Sequence, residues 1–271
     1  MRVPLLDLGE QHRTLAALIR EQVDDVLRTN RFILGPKVEE FEDAICRYTG
    51  AQFAVGVSSG TDALLAILMA LGIGGGDAVV TTPYSFFATA GCIARVVATP
   101  LFVDIDAETR MEPQYFHQMI GGNFRLDEIQ AAILSVKLPH LDGWSARRRG
   151  VAEVYREEFT RTGLLEKIVL PSDPFDRSGL RNTHIYHQYI IRAPNRDALR
   201  EHLRRNEIGS AIYYPVGLHQ QKCFEYLGYK RGDFPGTERA TAETLALPIY
   251  LKLSLKAQRF VVEKIAKFYA R

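Results

Sequence analysis

The spacing of apolar positions alternates between helical and strand-like along the first hundred residues, which predicts an α/β sheet. Residues 11–29 and 37–50 carry apolar side chains at helical spacing, so two helices come first. The pattern then becomes strand, helix, strand, helix, strand: "FAVGV", a helix from Asp62, "AVVTT", "FFATAGCIARV" and "TPLFVDID". Apolar runs separated by helices predict parallel strands joined by right-handed crossovers.

The alternation stops after "VDIDAETR", so only three parallel strands are predicted where about four to six are usual. Two helices follow, in "RLDEIQAAILSVKL" before Pro139 and in "WSARRRGVAEVYREEF". Beyond residue 162 the pattern is α+β: strands "YHQYIIR" and "SAIYYP", and helices in "NRDALREHLRRN", "TERATAETLAL" and "KAQRFVVEKIAKFY". We therefore expect a larger domain in residues 1–160 and a smaller one in residues 161–271.

The turn "SSGT" (residues 58–61), between the first predicted strand and its helix, is the first candidate site. Free backbone N–H groups at a helix start, helped by hydroxyl groups, form a natural phosphate site. The alternative is that Ser59 or Thr61 only caps the helix. Ligands bind at the carboxyl ends of parallel strands, where this turn and the turn "PYSFF" both fall, and this shared location favours binding.

Composition excludes several classes of protein. With 271 residues, 46% of them hydrophobic, the chain can bury a core, and a net charge of +2 provides no broad basic field for nucleic acid. The basic run at residues 147–149 is typical of a solvated helix face. Three widely spaced cysteines argue against a disulfide scaffold or a zinc site and favour the cytoplasm. Neither a signal peptide nor a run of about 18 apolar residues is present, so secretion and membrane spanning are not expected.

Seven phrases in order resemble the DegT/StrS-type pyridoxal-phosphate-dependent nucleotide-sugar aminotransferases, a branch of the fold-type I aminotransferases. They are "FILGPKVEEFE", "AVGVSSGTDALLAIL", "TTPYSFFATAGCI", "PLFVDID", "GGNFRLDEIQAAIL", "YHQYIIR" and "IYYPVGLH". The resemblance implies a fold-type I α/β architecture: a truncated parallel-sheet large domain with a smaller α+β C-terminal domain. It also implies a cytosolic homodimer that transfers an amino group from glutamate to a keto-sugar nucleotide, for polysaccharide or glycoconjugate biosynthesis.

The resemblance assigns four residues to the cofactor, pyridoxal 5′-phosphate. Gly60 and Thr61 match the positions that present N–H groups and a hydroxyl to the phosphate. Phe86 matches the aromatic ring that stacks on the pyridine ring, and Asn123 matches the asparagine that reaches the phosphate of the neighbouring subunit. Without the family, Phe86 is a core residue and Asn123 a helix N-cap.

Two residues of the phrase "YYPVGLH" match positions on the sugar side of the cleft, Tyr214 and His219. The alternative for His219 is a partly exposed loop histidine. Asp7 and Gln11, in a "D-L-x-x-Q" phrase near the N-terminus, are weaker candidates for the site.

Both catalytic groups of the family lack a counterpart. Transamination requires a lysine that forms the internal aldimine and an acid that keeps the pyridine nitrogen protonated, and the phrases that carry them in the family are absent. The chain has nine lysines, each in another context, and Asp104 and Asp106 follow an earlier strand. We therefore assign no catalytic residue and no metal ligand.

The gap lies between Arg110 and Met111, where about 100 residues of a typical family chain of about 370 are missing. The remaining strands and helices then lack part of their packing surface, and a sheet edge is exposed. The first hypothesis is an aminotransferase sequence without measurable transamination. The alternative is a non-catalytic dimerising or sugar-nucleotide-binding partner of a full-length relative; an unrelated phosphate-binding α/β enzyme would have to match seven ordered phrases by chance.

Overall fold

The computed structural model describes residues 1–105, 125–173, 175 and 183–270, and their contacts form two compact units. The N-terminal unit contains Gln11–Val103 and the described residues 125–141. The C-terminal unit contains Met1–Glu10, the described residues 104 and 105, and the described residues from Asp142 onward. The predicted domain boundary at residue 160 stays a prediction.

Five helices and two strands lie before residue 138 in the described part of the chain. In chain order they are α1 (Gly9–Thr29), α2 (Pro36–Thr49), α3 (Gly60–Ala70), β1 (Ala78–Thr81), α4 (Phe87–Arg95), β2 (Thr99–Phe102) and α5 (Glu128–Lys137). Each helix lies where the apolar spacing predicts one. The end of α2 is set by Gly50, whose φ of 77° is the left-handed conformation that glycine adopts at little cost.

Strands β1 and β2 form a two-stranded parallel sheet, with Ala78 beside Thr99 and Thr81 beside Phe102. Helix α4 is the crossover between them, as predicted, and α3 packs against α4. The packed residues of these two helices form one apolar cluster with Ala98, which lies directly before β2: Leu65, Leu68, Ala88, Cys92 and Ile93. Helices α2 and α5 pack together around Val38, Leu126 and Ala131.

The strand predicted at residues 53–57 is wrong. Only Val57 pairs, through an isolated antiparallel bridge to Arg125, and the side chains of Phe53 and Val55 are 78% and 81% exposed. A strand exists only when a neighbour accepts and donates its backbone hydrogen bonds, and no described strand lies beside this segment. An apolar segment with the composition of a buried strand is thus left without a sheet.

The C-terminal unit contains four further helices and two strands in its described residues. They are α6 (Leu141–Arg161), β3 (Tyr189–Arg192), α7 (Arg196–Arg205), α8 (Pro235–Glu243), β4 (Thr244–Leu247) and α9 (Leu255–Tyr269), with short 3-10 helices at Leu164–Glu166, Leu218–Gln220 and Lys222–Leu227. A further 3-10 helix, Leu138–His140, follows α5 and belongs to the N-terminal unit. Strands β3 and β4 pair antiparallel. Around them lies a fully buried core that includes Tyr155, Phe159, Leu199, Val261 and Ile265.

Two predictions in this unit require correction. The helix predicted through residues 244–247 is β4, because all four side chains are buried and the segment pairs with β3. The strand predicted at residues 210–215 is reduced to one bridge between Ala211 and Ala246. In residues 244–247, the tertiary pairing with β3 overrides the helical propensity of the alanine and leucine residues.

Candidate functional site

The turn at residues 58–61 forms the start of α3. Ser59 is the N-cap, with extended backbone, and its Oγ accepts a hydrogen bond from the N–H of Asp62 at 3.1 Å. The hydroxyls of Ser58 and Ser59 donate to Oδ2 of Asp62, the latter at 2.8 Å. These bonds, that from Ser58 first, hold the pKa of the Asp62 carboxyl below its ordinary value. The capping role considered for Ser59 is confirmed.

Gly60 and Thr61 are the first two residues of α3, where N–H groups have no partner within a helix. Within the described residues, neither N–H group donates a hydrogen bond, whereas those of Asp62 and Ala63 bond to Ser59. A Cβ atom built on Gly60 would meet no other atom within 4 Å. The turn therefore offers two unused donors and open space, as an anion requires.

Phe86 is the N-cap residue of α4, and its side chain is 63% exposed. The alternative that it is a core residue is therefore wrong. Because α4 packs against α3, Phe86 and the Ser/Thr turn lie at the starts of two helices of one pair. An exposed aromatic ring at a helix start is available to stack on a planar ligand.

Several predicted features lie outside the described residues: Asn123, Asp106 and the connection from Arg110 to Met111.

Tyr214 and His219 lie in the C-terminal unit. Tyr214 is half-buried, and His219 belongs to the 3-10 helix Leu218–Gln220. The imidazole is fully buried, with Nε2 3.4 Å from Oε1 of Glu238 and its ring centroid 4.7 Å from that of Phe234. The alternative of a partly exposed loop histidine is therefore wrong. Asp7 accepts a hydrogen bond from the N–H of Gly9 at 2.8 Å and so caps α1.

Asp104, directly after β2, is bound at the start of α8. Its carboxylate accepts from the N–H of Gly236 at 2.6 Å and from the N–H and Oγ1 of Thr237, both at 2.8 Å. Burial raises the pKa of the Asp104 carboxyl, but the hydrogen bonds from Thr237, Gly236 and Ile105 together bring it below its ordinary value. Asp104 therefore serves as the N-terminal cap of α8.

The substitution Asp104→Asn tests this capping role. A lowered pKa in the folded state contributes stability above the unfolded pKa of about 3.9, and this is lost as the pH falls through the folded value. We expect the variant to be about 1.5 kcal/mol less stable at pH 7, and the difference to shrink below about pH 4. Urea unfolding between pH 3 and pH 7 measures both effects.

The matched control is Asp43→Asn, at an exposed acid of α2. It is expected to change the free energy of unfolding by less than about 0.5 kcal/mol at every pH. A loss of equal size for Asp104→Asn at pH 3 and pH 7 would contradict the charged cap.

Arg148 belongs to the basic run predicted as a solvated face, and the structure corrects this. Its guanidinium is half-buried and donates to the carbonyl oxygens of Tyr186, His187 and Ile249 at 3.1 to 3.4 Å. Burial lowers the pKa of Arg148. Within the C-terminal unit it lines a cavity of about 180 Å³.

Glu128, at the start of α5, is a further residue whose role the sequence did not predict. It is buried, and its carboxylate accepts hydrogen bonds from the N–H groups of Gly35, Lys37 and Val38 at the start of α2. The available signal was the start of α2 itself: "LGPKV" begins a helix with Gly35 and Pro36 and provides no side-chain cap of its own.

Metal sites and membrane-spanning helices are both absent from the described ranges. These ranges contain no cluster of three or more His, Cys, Asp or Glu side chains that could hold a metal ion. Among the helices of those ranges, none combines the length and the apolar character that crossing a membrane requires.

Comparison with known proteins identifies the family. Residues 14–112 and 109–266 match the DegT/DnrJ/EryC1/StrS aminotransferase family in two stretches. The chain is similar to a protein named pleiotropic regulatory protein from Geobacillus stearothermophilus, with 34% identity over 376 residues and 99% of each chain covered. It is also similar to dTDP-3-amino-3,6-dideoxy-alpha-D-galactopyranose transaminase from Aneurinibacillus thermoaerophilus, with 24% identity over 371 residues that cover 98% of this chain and 99% of that protein.

Among solved structures, the chain is similar to a DegT DnrJ EryC1 StrS aminotransferase from Brucella abortus. The TM-score is 0.87 and the identity 25%, with all of both chains covered.

The comparisons also locate the missing block. An alignment of 376 residues against a chain of 271 leaves about 100 positions of the relative without a counterpart. The two family matches meet at residues 109–112, so these positions form one internal block. The chain therefore belongs to the DegT/DnrJ/EryC1/StrS family of pyridoxal-phosphate-dependent, fold-type I aminotransferases, and it lacks an internal block of the large domain between Arg110 and Met111.

Proposed function

We propose that this chain is a nucleotide-sugar aminotransferase homologue that holds the coenzyme phosphate without covalent attachment and does not catalyse transamination. The family and the transaminases among its relatives support the general class, a pyridoxal-phosphate-dependent enzyme acting on nucleotide sugars. The lack of activity is our inference from the residues that remain.

The distribution of lysines carries this proposal. Between residues 11 and 141, the span that includes the phosphate turn, the chain contains only Lys37 and Lys137. Nζ of Lys37 lies 3.0 Å from Oε1 of Gln22 and 3.2 Å from Oδ2 of Asp25, and Lys137 is the last residue of α5. Neither follows a parallel strand, where a ligand of this sheet binds.

The residues therefore fit one end of pyridoxal phosphate and not the other. Gly60 and Thr61 offer unused N–H donors in open space to the phosphate, and Phe86 offers an exposed ring to the pyridine face. Neither lysine in the described residues of the N-terminal unit follows one of its strands, where it could bind the aldehyde covalently, and Asp104, the acid after β2, is engaged by α8.

The proposal extends to the remaining family assignments. Asn123 contacts the phosphate of the neighbouring subunit in a homodimer, and Tyr214 and His219 line the sugar side of the site. In an enzyme that contains the missing block, glutamate is the amino donor and a keto-sugar nucleotide is the acceptor. The location that we propose is the cytoplasm. These assignments rest on the matching phrases of the sequence.

Incubation of the purified chain with pyridoxal phosphate tests the proposal. We expect saturable binding without the visible absorption band of a lysine-bound coenzyme, and no coenzyme adduct in the peptide mass map after borohydride treatment. Thr61→Val removes one charge-assisted hydrogen bond and is expected to weaken binding about tenfold.

Ser254→Val is the matched control, because Ser254 caps α9 in the other unit. It is expected to leave coenzyme binding unchanged. A borohydride-reduced adduct on one specific lysine, or transamination by the chain alone, would overturn the proposal.

The second candidate function is a non-catalytic partner of a full-length relative. The buried core of the C-terminal unit favours it, since that unit has a large continuous core without the missing block. The name of the Geobacillus relative, a regulatory protein, points in the same direction. In the binding experiment, saturable nucleotide-sugar binding together with cooperative unfolding supports this role, whereas an aggregated product argues against it.

A further inference from the structure

Among the residues that the structure describes, helices cover one face of the β1–β2 sheet of the N-terminal unit. Val79 packs against the α3–α4 cluster, and Thr81 and Phe102 are buried on the same face. On the opposite face, Val80 lies directly beside Leu101, and their side chains are 51% and 42% exposed. We call Val80, Leu101 and Val103, the residue directly after β2, the bare face; Val103 is 52% exposed.

A bare face is unusual for parallel strands. Parallel sheets occur with helices on both faces, because each crossover places a helix against the sheet. In the described residues the single crossover of this sheet is α4, which covers the opposite face. Two strands of four residues are also too few for a stable sheet of their own.

The exposed segment at residues 53–57 belongs to the same unit and has the same deficit. Its side chains Phe53 and Val55 are apolar and almost fully exposed, and its backbone lies in no described strand. In its described residues, the unit therefore provides neither a cover for one sheet face nor strand partners for this apolar segment.

In the relatives, an additional block is long enough to provide both the cover of this sheet face and the strand partners of residues 53–57. Their additional block of about 100 residues is absent at residues 109–112, within ten residues of the end of β2 at Phe102. A block of this length is sufficient for several strand–helix units, each of about 30 residues or more. The block is therefore missing shortly after the strand whose outer face is exposed.

We propose that the bare face and residues 53–57 form a docking surface for a separate polypeptide, the central block of a family member. The block adds parallel strands to the β1–β2 sheet and places a helix over Val80, Leu101 and Val103. Association is driven by burial of these apolar side chains and by backbone pairing of the added strands with this sheet. This inference goes beyond the proposed function and does not depend on whether the chain alone binds the coenzyme.

Co-expression tests the proposal. The second polypeptide is the tagged segment of the Geobacillus stearothermophilus relative that aligns with no residue of this chain. We expect a 1:1 complex in analytical ultracentrifugation, with amide hydrogen exchange slowed at residues 53–57, 78–81 and 99–103. The double variant Val80→Lys, Leu101→Lys places two charges on the bare face and is expected to weaken the complex more than tenfold.

The matched control is Leu165→Lys, an exposed apolar residue of the C-terminal unit, which is expected to leave the complex intact. Circular dichroism of the isolated chains checks that the lysine variants retain their helices.

Three outcomes overturn the proposal: no complex, a complex of unchanged affinity with the double lysine variant, or protection of residues 78–81 in the isolated chain at high concentration, which would make a second copy the occupant. A coenzyme–lysine adduct formed by the chain alone bears only on the proposed function.

Discussion

Replacing Tyr155 by alanine is expected to lower the free energy of unfolding of the C-terminal unit by about 4 kcal/mol. Tyr155 of α6 is fully buried, and its ring stacks on Tyr189 of β3 with centroids 4.9 Å apart. Its hydroxyl donates to the carbonyl oxygen of Pro248 at 3.0 Å. Truncation therefore leaves a large cavity and an unsatisfied buried carbonyl in one step.

The chain offers a specific optical signal for this measurement. Its single tryptophan, Trp144, lies in α6, the same helix as Tyr155. Urea unfolding followed by tryptophan fluorescence therefore reports on the C-terminal unit. The midpoint is expected to fall strongly while the slope of the transition stays the same.

Two variants separate packing from hydrogen bonding. Tyr155→Phe retains the ring and loses only the bond to Pro248, so a loss of about 1 kcal/mol is expected. Tyr226→Ala removes an exposed tyrosine and is expected to change stability by less than about 0.5 kcal/mol. Equal losses for Tyr155→Phe and Tyr155→Ala would contradict the packing argument.

The sequence predicts the helices of this protein well, and the reason is local. Helical hydrogen bonds close within the segment, so apolar spacing and end signals such as Ser59 and Gly50 are sufficient. A strand instead requires partners, and the identity of those partners is not written in its own residues. Residues 53–57 have strand composition and no sheet, whereas residues 244–247 have helical composition and form a strand beside β3.

In the candidate site, too, features made by consecutive residues were predictable from the sequence and features made by distant residues were not. The helix start at residues 58–61 was recognisable because an anion site of this kind is made by consecutive residues. The environments of three other residues could not be predicted, because each depends on a contact with a residue distant in sequence. His219 contacts Glu238, Asp104 accepts hydrogen bonds from Thr237, and Arg148 donates to the carbonyl of Ile249.

Glu128 connects two of the family phrases, and its replacement by alanine is expected to destabilise the N-terminal unit by about 3 kcal/mol. Its Oε1 accepts from Gly35 at 2.8 Å and from Val38 at 3.1 Å, and its Oε2 accepts from Lys37 at 3.0 Å. Helix α2 has no side-chain cap of its own. Removal of the carboxylate leaves these N–H groups without an acceptor at a site where the carboxylate itself is almost fully buried.

Amide hydrogen exchange measures this effect at the affected groups. Exchange of Gly35, Lys37 and Val38 is expected to accelerate by about two orders of magnitude in Glu128→Ala, since each 1.4 kcal/mol corresponds to a factor of ten. Glu128→Gln retains one carbonyl acceptor and is expected to have an intermediate effect. Glu39→Ala, at an exposed acid in the first turn of α2, is expected to have an effect below about 1 kcal/mol.

The result decides how α2 is held against α5. The Glu128 carboxylate links the start of α2 to a residue about ninety positions later in the sequence, beyond the missing block. Helices α2 and α5 therefore stay packed in this chain only if the contact forms in the absence of that block. Loss of protection along all of α2 in Glu128→Ala, with Trp144 fluorescence unchanged, is the expected pattern. If protection is kept in Glu128→Ala and lost equally in Glu39→Ala, then the helix dipole and not the buried carboxylate stabilises this helix start.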